Sequence, residues 1–459
     1  VEYVSRLIFG DFLPAYNPVA RWTFTSYGST GSWGTPIQLR WSFVPDGTLL
    51  PGHQSSDMLP SNLFSAMDRQ FNGNTALWQA KFHYSFERWS QVAGLRFTQV
   101  SDDGAPFPNS LGSATGARGD IRIGARSVDG AGGLLAFNYF PNTGDMVIDS
   151  DDTWTRPDIA YRYLRNVVMH EIGHGLGLGH VIPTNGTKLM EPYLVLGYDG
   201  PQDDDVRGAQ RLYGDPNERN DSRATATPVD LISSNEAVFD MASLDRAADV
   251  DWYHLVLPPG QRITITVTPV GASYFVGPQG GTTTNINTRR VQNLQLELYA
   301  ADGTLLARAT SNGLGDSERI FDYPLPPASG VFYARVFSCS GSVDDVQRYQ
   351  IAFRATTRPV GDVNGDGCVD DADLLRVLFD FGNRSSSLTW LGTLGGDWSE
   401  GWGVSDDGSV VVGWARNSAG QWRAYRWTAT TGMQDLGTLG GDSSLAYSVS
   451  SDGSVIVGI

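Results

Sequence analysis

The sequence predicts a multidomain, β-rich chain: an α+β domain first, then modules built from short strands. Three observations carry this. At 459 residues the chain holds about three domains' worth of sequence, too much for one core. Its 54 Gly, 23 Pro and 13 Trp accompany a 41% hydrophobic content, a mixture that suits turn-rich globular modules rather than disorder or coiled coil. A phrase at 391–413 returns at 436–458, offset by 45 residues, the self-similarity of a repeat array.

Taken in order, Ile37 to Phe43 (IQLRWSF) and Asp120 to Ile123 (DIRI) read as strands. Ala76 to Val92 places Trp78, Phe82, Phe86, Trp89 and Val92 at helical spacing, an amphipathic helix. A second helix is predicted from Pro157, suited to a first helical position, with Asp158 at the positive end of the dipole, running to about Gly175. A third spans Asp203 to Tyr213, opened by acids and stopped by Gly214. Residues 215–222 (DPNERNDS) read as a polar linker, so the first domain covers 1–216.

From 223 to 356 the pattern changes to alternating strands, among them Arg262 to Val267, Leu294 to Tyr299 and Val331 to Val336, with turns such as Asp302-Gly303 between them. That spacing predicts a β-sandwich. Residues 360–383 form an acidic loop followed by an apolar helix, and after an Arg-Ser linker at 384–387 the β-repeats occupy 389–459. Such stacks need roughly three or more units, so the array is expected to continue past Ile459 in a longer protein.

The net charge of −17 repels phosphate backbones and anionic headgroups, which excludes nucleic acid as an expected partner. Many acids cluster, at Asp149 to Asp152, Asp203 to Asp205 and Asp362 to Asp373, which raises calcium binding. Cys339 and Cys368 lie in separate modules, so no disulfide framework is read from them. No run of 18 apolar residues occurs, so no membrane-spanning helix is expected; the sequence opens at Val1 without Met or a basic-then-apolar leader, so a signal peptide is expected to have been either removed or never included.

The chemistry concentrates in HEIGHGLGLGH, which holds three of the six histidines: His170, His174 and His180. Residues four apart share a helix face, so His170 and His174 can each aim a ring nitrogen at one ion about 2.0 to 2.1 Å away. Glu171 lies about 100° around the helix from His170, beside the ion rather than on it. His180 sits about 9 Å further along a continuing helix, so the chain must turn back. Gly175, Gly177 and Gly179 allow that, with Gly177 placed to take φ > 0 and end the helix. Three imidazoles leave one coordination position open, the mark of a single catalytic zinc, whose Lewis acidity brings a water towards a pKa of about 7. Glu171 is then the candidate base that takes the water's proton and passes it to a leaving amine. His53, His83 and His254 have no ligand spacing and read as surface or satisfied core residues.

The extended spacing with a downstream Met190 in KLMEPY is the metzincin signature and its Met-turn. Over about residues 35–214 the sequence resembles the matrixin branch of that group: HEIGHGLGLGH, KLMEPY and DDDVRGAQRLYG match the active-site helix, Met-turn and closing helix, and FERWSQVAGLRFTQV and GDIRIGAR do so more loosely. The resemblance implies zinc endopeptidase activity, with substrate extended along an edge strand at Gly133 to Tyr139 (Leu134, Leu135, Ala136) by β-augmentation. It further implies a pocket walled by Val167 or its neighbours and by Pro192 and Tyr193. The family's second, structural zinc needs histidines where this chain has Phe137 and Val147, so that ion is expected to be absent. Asp129, Asp149 and Asp152 match the family's calcium ligands, or else form a solvated turn. Both cysteines lie beyond residue 330, so inhibition by a propeptide thiolate is not available to this chain.

In GDVNGDGCVDDAD, Asp362, Asn364, Asp366, the Cys368 carbonyl, Asp370 and Asp373 fall at positions 1, 3, 5, 7, 9 and 12 of an EF-hand-like calcium loop. With LLRVLFDFG following, the segment resembles a dockerin repeat, implying either a cohesin-like or cell-surface partner through 360–383 or a rigid calcium junction. Residues 223–356 resemble the bacterial pre-peptidase C-terminal domain through DVDWYHLVLPPGQRITITV and LQLELYAADGTLL, and the repeats resemble extracellular HAF-type repeats, with RAYRW at 423–427. Their Trp and Tyr residues read as a glycan platform or as core packing. The expectation is a secreted or cell-surface bacterial zinc endopeptidase acting on extracellular protein or peptide substrates. The alternative is a calcium-dependent adhesion or scaffold protein with an idle metzincin domain.

Overall fold

The computed structural model describes residues 16–53, 56–108, 118–156, 160–246, 249–257, 261–326, 330–341, 345–357, 371–380 and 390–459. They fall into two compact units, Val1–Arg358 and Pro359–Ile459.

The first unit opens with a twisted five-stranded sheet. Its strands are β1 (Ile37–Phe43), β2 (Leu95–Gln99), β3 (Ile121–Arg126), β4 (Ala136–Asn138) and β5 (Met146–Asp149). Their order is β2-β1-β3-β5-β4, parallel except for the antiparallel edge strand β4. The central β3 is buried at every position, as a parallel strand covered on both faces must be. Its two arginines are therefore paired: Arg122 Nε and Nη2 grip the Asp102 carboxylate at 2.9 and 2.7 Å, and Arg126 reaches Asp57 at 2.6 Å.

The helices are α1 (Leu63–Gln70), α2 (Thr75–Ser90), α3 (Arg162–Leu176) and α4 (Asp203–Tyr213). The Asn74 side chain caps α2 by accepting from Leu77 N at 3.1 Å, and its buried face presents Trp78, Phe82, Phe86 and Trp89 as the apolar spacing predicts. Phe86 stacks on Trp41 of β1 with centroids 4.5 Å apart, in one core that also takes Val168 and Ile172 of α3 and Leu212 of α4.

The helix expected at Ala76 to Val92 spans Thr75–Ser90, and three other boundaries differ from expectation for a local reason. The second expected helix begins at Arg162 rather than Pro157, because Ala160 and Tyr161 adopt φ of 50° and 62°, outside any right-handed helix; 157–159 lie outside the described residues. The DIRI strand starts one residue later and runs to Arg126, because Asp120 folds its carboxylate onto the Arg40 and Ser26 N–H groups at 2.8 and 2.7 Å. The edge strand is confined to Ala136–Asn138, since Leu134 N is drawn into the preceding turn by the Asp129 carboxylate at 3.0 Å.

Besides two small ribbons, Phe24–Thr25 with Gly28–Ser29 and Leu49–Pro51 with Met58–Pro60, two further large sheets and a hairpin belong to this unit. Their strands are β6 (Thr227–Val229), β7 (Glu236–Leu244), β8 (Val250–Val256), β9 (Gln261–Pro269), β10 (Ser273–Val276), β11 (Thr284–Asn287), β12 (Gln292–Ala300), β13 (Leu305–Ala309), β14 (Glu318–Pro324), β15 (Val331–Gly341) and β16 (Gln347–Thr357). A five-stranded sheet (β6-β8-β15-β12-β13) and a four-stranded sheet (β7-β16-β9-β14) close on a common core of Leu255, Ile265, Leu296 and Phe353, while β10 and β11 form a separate hairpin.

The stretch read as a polar linker is anchored instead: Asp215 accepts from Ser243 N at 2.7 Å, and the Asn220 carbonyl from Trp252 N at 2.9 Å. Helix α4 joins the two parts of the unit. Arg207, 1% exposed, donates to the Val346 carbonyl at 3.1 Å and to the Tyr274 hydroxyl at 3.1 Å, and pairs with Asp345 at 2.5 Å. Asp203 pairs with Arg348 at 2.6 Å, and Asp204 accepts from Tyr274 Oη at 2.9 Å.

The second unit holds α5 (Asp371–Asp380), an antiparallel meander β17 (Gly395–Val404), β18 (Val411–Asn417), β19 (Trp422–Thr428), β20 (Gly432–Asp435), and a hairpin β21 (Ala446–Val449), β22 (Ile456–Gly458). The repeat recurs as geometry. Asp407 accepts from Ser405 Oγ at 2.6 Å and Ser409 N at 3.0 Å, and Asp452 from Ser450 Oγ and Ser454 N at the same distances. Val410, Val412, Ala424 and Ala446 form its core, and Trp402, 55% exposed, stacks on Trp414 outside it. Asp362, Asn364, Asp366, Cys368, Asp370 and the 384–387 linker lie outside the described residues, as does the side chain of Asp373 on α5. No helix among the described residues is long and apolar enough to cross a membrane.

Candidate functional site

Helix α3 carries His170 and His174 on one face and ends at Gly177, whose φ of 103° turns the chain back. That turn is held by a strap: Val19 N donates to the Gly177 carbonyl at 2.8 Å, Gly179 N to the Asn17 carbonyl at 2.8 Å, and Asn17 Nδ2 to the His180 carbonyl at 2.9 Å. His180 is thereby delivered to the other two. Its Nε2 lies 3.2 Å from Nε2 of His170 and 3.2 Å from Nε2 of His174.

The opposite ring nitrogens settle the chemistry. His170 Nδ1 is 2.7 Å from the Leu189 carbonyl and His174 Nδ1 is 2.7 Å from the Leu178 carbonyl, contacts that require Nδ1–H to donate. Nε2 of both rings is then a bare lone pair aimed at a common point. Burial, and then the neighbouring histidines, disfavour protonating them: His170 is pushed down to about 4, and His174 well below its ordinary value. Converging lone pairs need a cation between them. Two nitrogens about 2.0 to 2.1 Å from a tetrahedral zinc lie about 3.3 Å apart, so the donor set fits that ion.

Glu171 is 6% exposed, and burial pushes its carboxyl up to about 8. Its Oε2 has no hydrogen-bond partner. The floor of the site is Met190, 1% exposed, packed so closely under α3 that a Cβ on Gly173 would stand 2.4 Å from its Sδ.

Two acids not assigned to this site from the sequence hold that floor, one of them, Asp205, in a cluster read there as a possible calcium binder. Asp205 of α4 accepts from Leu189 N at 2.8 Å and Met190 N at 3.0 Å, and burial pushes it up to about 6. Glu191, fully buried, gathers the N–H groups of Asn185, Gly186 and Thr187 at 2.8 to 2.9 Å and pairs with Lys188 at 3.1 Å. Burial alone would raise Glu191, but these N–H groups and the ammonium hold it below the usual carboxylate range. The i,i+3 spacing of Lys188 and Glu191 was a readable signal; the partners of Asp205 were not.

The remaining candidates are placed as follows. Asp129, Asp149 and Asp152 gather around the glycine-rich turn at 130–133, with Asp149 accepting from Asp129 N at 3.2 Å and Asp152 from Gly132 N at 2.8 Å. Burial and the neighbouring acids raise Asp152, whose Oδ2 has no hydrogen-bond partner. Leu134, Leu135 and Ala136 run into the edge strand β4, Val167 is buried on α3, and Pro192 and Tyr193 are exposed, Tyr193 at 71%. Phe137 packs between His53 and Tyr139, and Val147 is buried with Val44, Leu50 and Phe107. His83 stands edge-on to Trp41, and His254 packs on Tyr333. Among the described residues one other set of metal-type donors converges: Glu218, Asp249 and Asp251.

A helix offering two imidazoles, met by a third from beyond a glycine turn and floored by a buried methionine, defines a metal-binding α+β domain. Residues 64–214 match the family model described as Matrixin, and this stretch is a matrixin domain. Stromelysin-3 of Mus musculus is 37% identical over 150 residues, covering 32% of this chain and 28% of the relative. Interstitial collagenase of Equus caballus is 39% identical over 134 residues (28% of this chain, 27% of the relative), and hatching enzyme of Paracentrotus lividus is 31% identical over 173 residues (36% and 27%). The chain thus spans less than a third of the length of each of these relatives.

Proposed function

We propose that this protein is a secreted zinc-dependent endopeptidase that hydrolyses peptide bonds of extracellular proteins, with its chemistry in the matrixin domain. The observation that carries the reading is the convergence of three Nε2 atoms, two of them 3.2 Å from the third, while the Nδ1 atoms of His170 and His174 are committed to backbone carbonyls. One zinc held by His170, His174 and His180 supplies Lewis acidity towards a water and a scissile carbonyl. The protein's own part is proton transfer and positioning. As the water oxygen bonds to the carbonyl carbon, Glu171 takes its proton, and it returns that proton to the amide nitrogen as the C–N bond breaks. The Glu171 Oε2, buried and without a hydrogen-bond partner, is the oxygen that can take and return that proton.

Substrate is proposed to lie extended along β4 as an added strand, through Leu134, Leu135 and Ala136, with Pro192 and Tyr193 beside the specificity pocket. Asp129, Asp149 and Asp152 are proposed to hold a structural calcium, and the 360–383 segment a second. Residues 223–356 are read as a pre-peptidase-like β-sandwich accessory module, and 389–459 as HAF-type repeats. A cohesin-like partner for 360–383 is testable by pull-down with cohesin modules in calcium and in chelator.

The deciding experiment is elemental analysis of the full chain paired with casein or mixed-peptide hydrolysis, with and without a zinc chelator. One zinc per chain and chelator-sensitive cleavage support the proposal. Two zincs would overturn the reading of Phe137 and Val147, and one zinc with no cleavage across a broad peptide library would move the assignment to a calcium-dependent scaffold.

A further inference from the structure

The seam between α4 and the two sheets concentrates carboxylates far beyond its supply of cations. Asp215 and Glu218 follow α4 in the chain; Asp245 and Asp249 come from the turn between β7 and β8, and Asp251 from β8 itself. Asp215 and Asp251 are 0% exposed, Asp245 1% and Asp249 2%, and Glu218 is half-buried. One oxygen from each of Glu218, Asp249 and Asp251 lies within 4.8 Å of the other two.

Local donors satisfy only part of this cluster. Asp215 accepts from Asn217 N and Ser243 N at 2.6 and 2.7 Å, Asp249 Oδ2 from Asp245 N at 2.7 Å, and Asp251 Oδ2 from the Tyr349 hydroxyl. Arg246 reaches Asp245 at 2.8 Å and Asp221 at 2.7 Å but stands 3.7 Å from Asp249. Left over and buried, with no hydrogen-bond partner, are both oxygens of Glu218, Oδ1 of Asp249, Oδ1 of Asp251, Oδ2 of Asp245 and the whole side-chain amide of Asn220. Buried carboxylate oxygens facing one another need either protons or a cation.

We propose that Glu218, Asp249 and Asp251 bind a calcium ion that clamps the segment after the matrixin domain onto strand β8. The donors are all oxygen, which selects a hard cation and disfavours zinc. Three oxygens within 4.8 Å of one another can share one calcium at about 2.3 to 2.6 Å each, whereas magnesium demands about 2.0 to 2.1 Å in a near-ideal octahedron and retains its waters. Asn220 and the free oxygens of Asp245 and Asp249 are near enough in the chain to add further ligands. Burial and then mutual repulsion raise Glu218 to about 10, Asp245 to about 8 and Asp215 to about 7, as befits a site that otherwise fills with protons. The inference is independent of whether the histidine site cleaves peptides.

The test is a count of calcium ions bound by the full chain in equilibrium dialysis, for the parent and for Glu218→Gln and Asp249→Asn. Each variant is expected to bind one calcium fewer per chain. Because an amide relieves repulsion when no metal is present, both are expected to match the parent's circular dichroism and melting in calcium-free buffer. An unchanged count in variants so folded overturns the proposal and leaves a cluster that holds protons only. Terbium luminescence adds a reading that alters no ligand: Trp252, whose N–H donates to the Asn220 carbonyl, should sensitise one component of the emission. Loss of that component in Trp252→Phe supports the site, and emission identical to the parent's counts against it.

Discussion

Gly177 marks where the histidine site depends on a single backbone conformation. Its φ of 103° is strained for any L side chain, and a Cβ there would stand 2.0 Å from the Ala20 carbonyl oxygen. Gly177→Ala should therefore displace His180 and weaken zinc retention at least tenfold while α3 itself persists; dialysis against a graded zinc chelator measures it, and unchanged retention would refute the role given to the turn. Glu171→Gln removes only the proton acceptor. Zinc content should stay at the parent's level while turnover drops about 10²- to 10⁴-fold, the range of a positioned general base. Retention of most activity would mean that another group carries the proton.

Among the elements, the loop between α3 and α4 is ordered by acids rather than by apolar packing. Glu191 and Lys188 are both buried, so Glu191→Gln leaves an ammonium without its counter-charge and should cost about 3 kcal/mol, read from chemical denaturation. A loss under about 1 kcal/mol would mean that the backbone N–H groups suffice without the charge. This loop also marks the limit of what the sequence discloses. His170, His174, Gly177 and His180 were legible because an ion demands fixed spacing within one short segment, and α2 and α4 because their apolar or acidic positions recur locally. The strap at Asn17 to Ala20, the grip of Asp205 on Met190 and the acids at Asp215 to Asp251 were not. Each joins positions that only the folded chain brings together, and DPNERNDS looks like any polar linker until Ser243 N and Trp252 N are set against it.

Over the whole molecule, the buried acids give stability a pH dependence of definite sign. In the metal-free chain, burial first and then neighbouring charges put Asp215 at about 7, Asp245 at about 8 and Glu218 at about 10, and burial puts Glu171 at about 8. Arg246 and Arg211 act on Asp245, the Tyr349 hydroxyl donates to Asp251, and Tyr253 Oη lies 3.0 Å from Tyr349 Oη. A carboxyl whose folded pKa exceeds its unfolded value binds its proton more tightly when folded, so its contribution is lost as pH rises through the folded value. Above pH about 6.5 the depressed histidines are neutral in both states and no longer contribute. The melting temperature of metal-free protein should therefore fall between pH about 7 and 9, and added calcium should restore most of it at the upper end. A melting temperature that rises across that window would contradict this account.

Helix α4 holds Met190 through Asp205, while its Arg207 and Asp203 are matched by Tyr274, Asp345 and Arg348. A ribosome completes the histidine motif more than 160 residues before it completes that set of partners. Throughout that interval the nascent chain owns every ligand for the metal yet lacks the mates of the helix beneath it. Maturation of the site is thus a late event in the protein's own synthesis, timed by residues that never approach the metal.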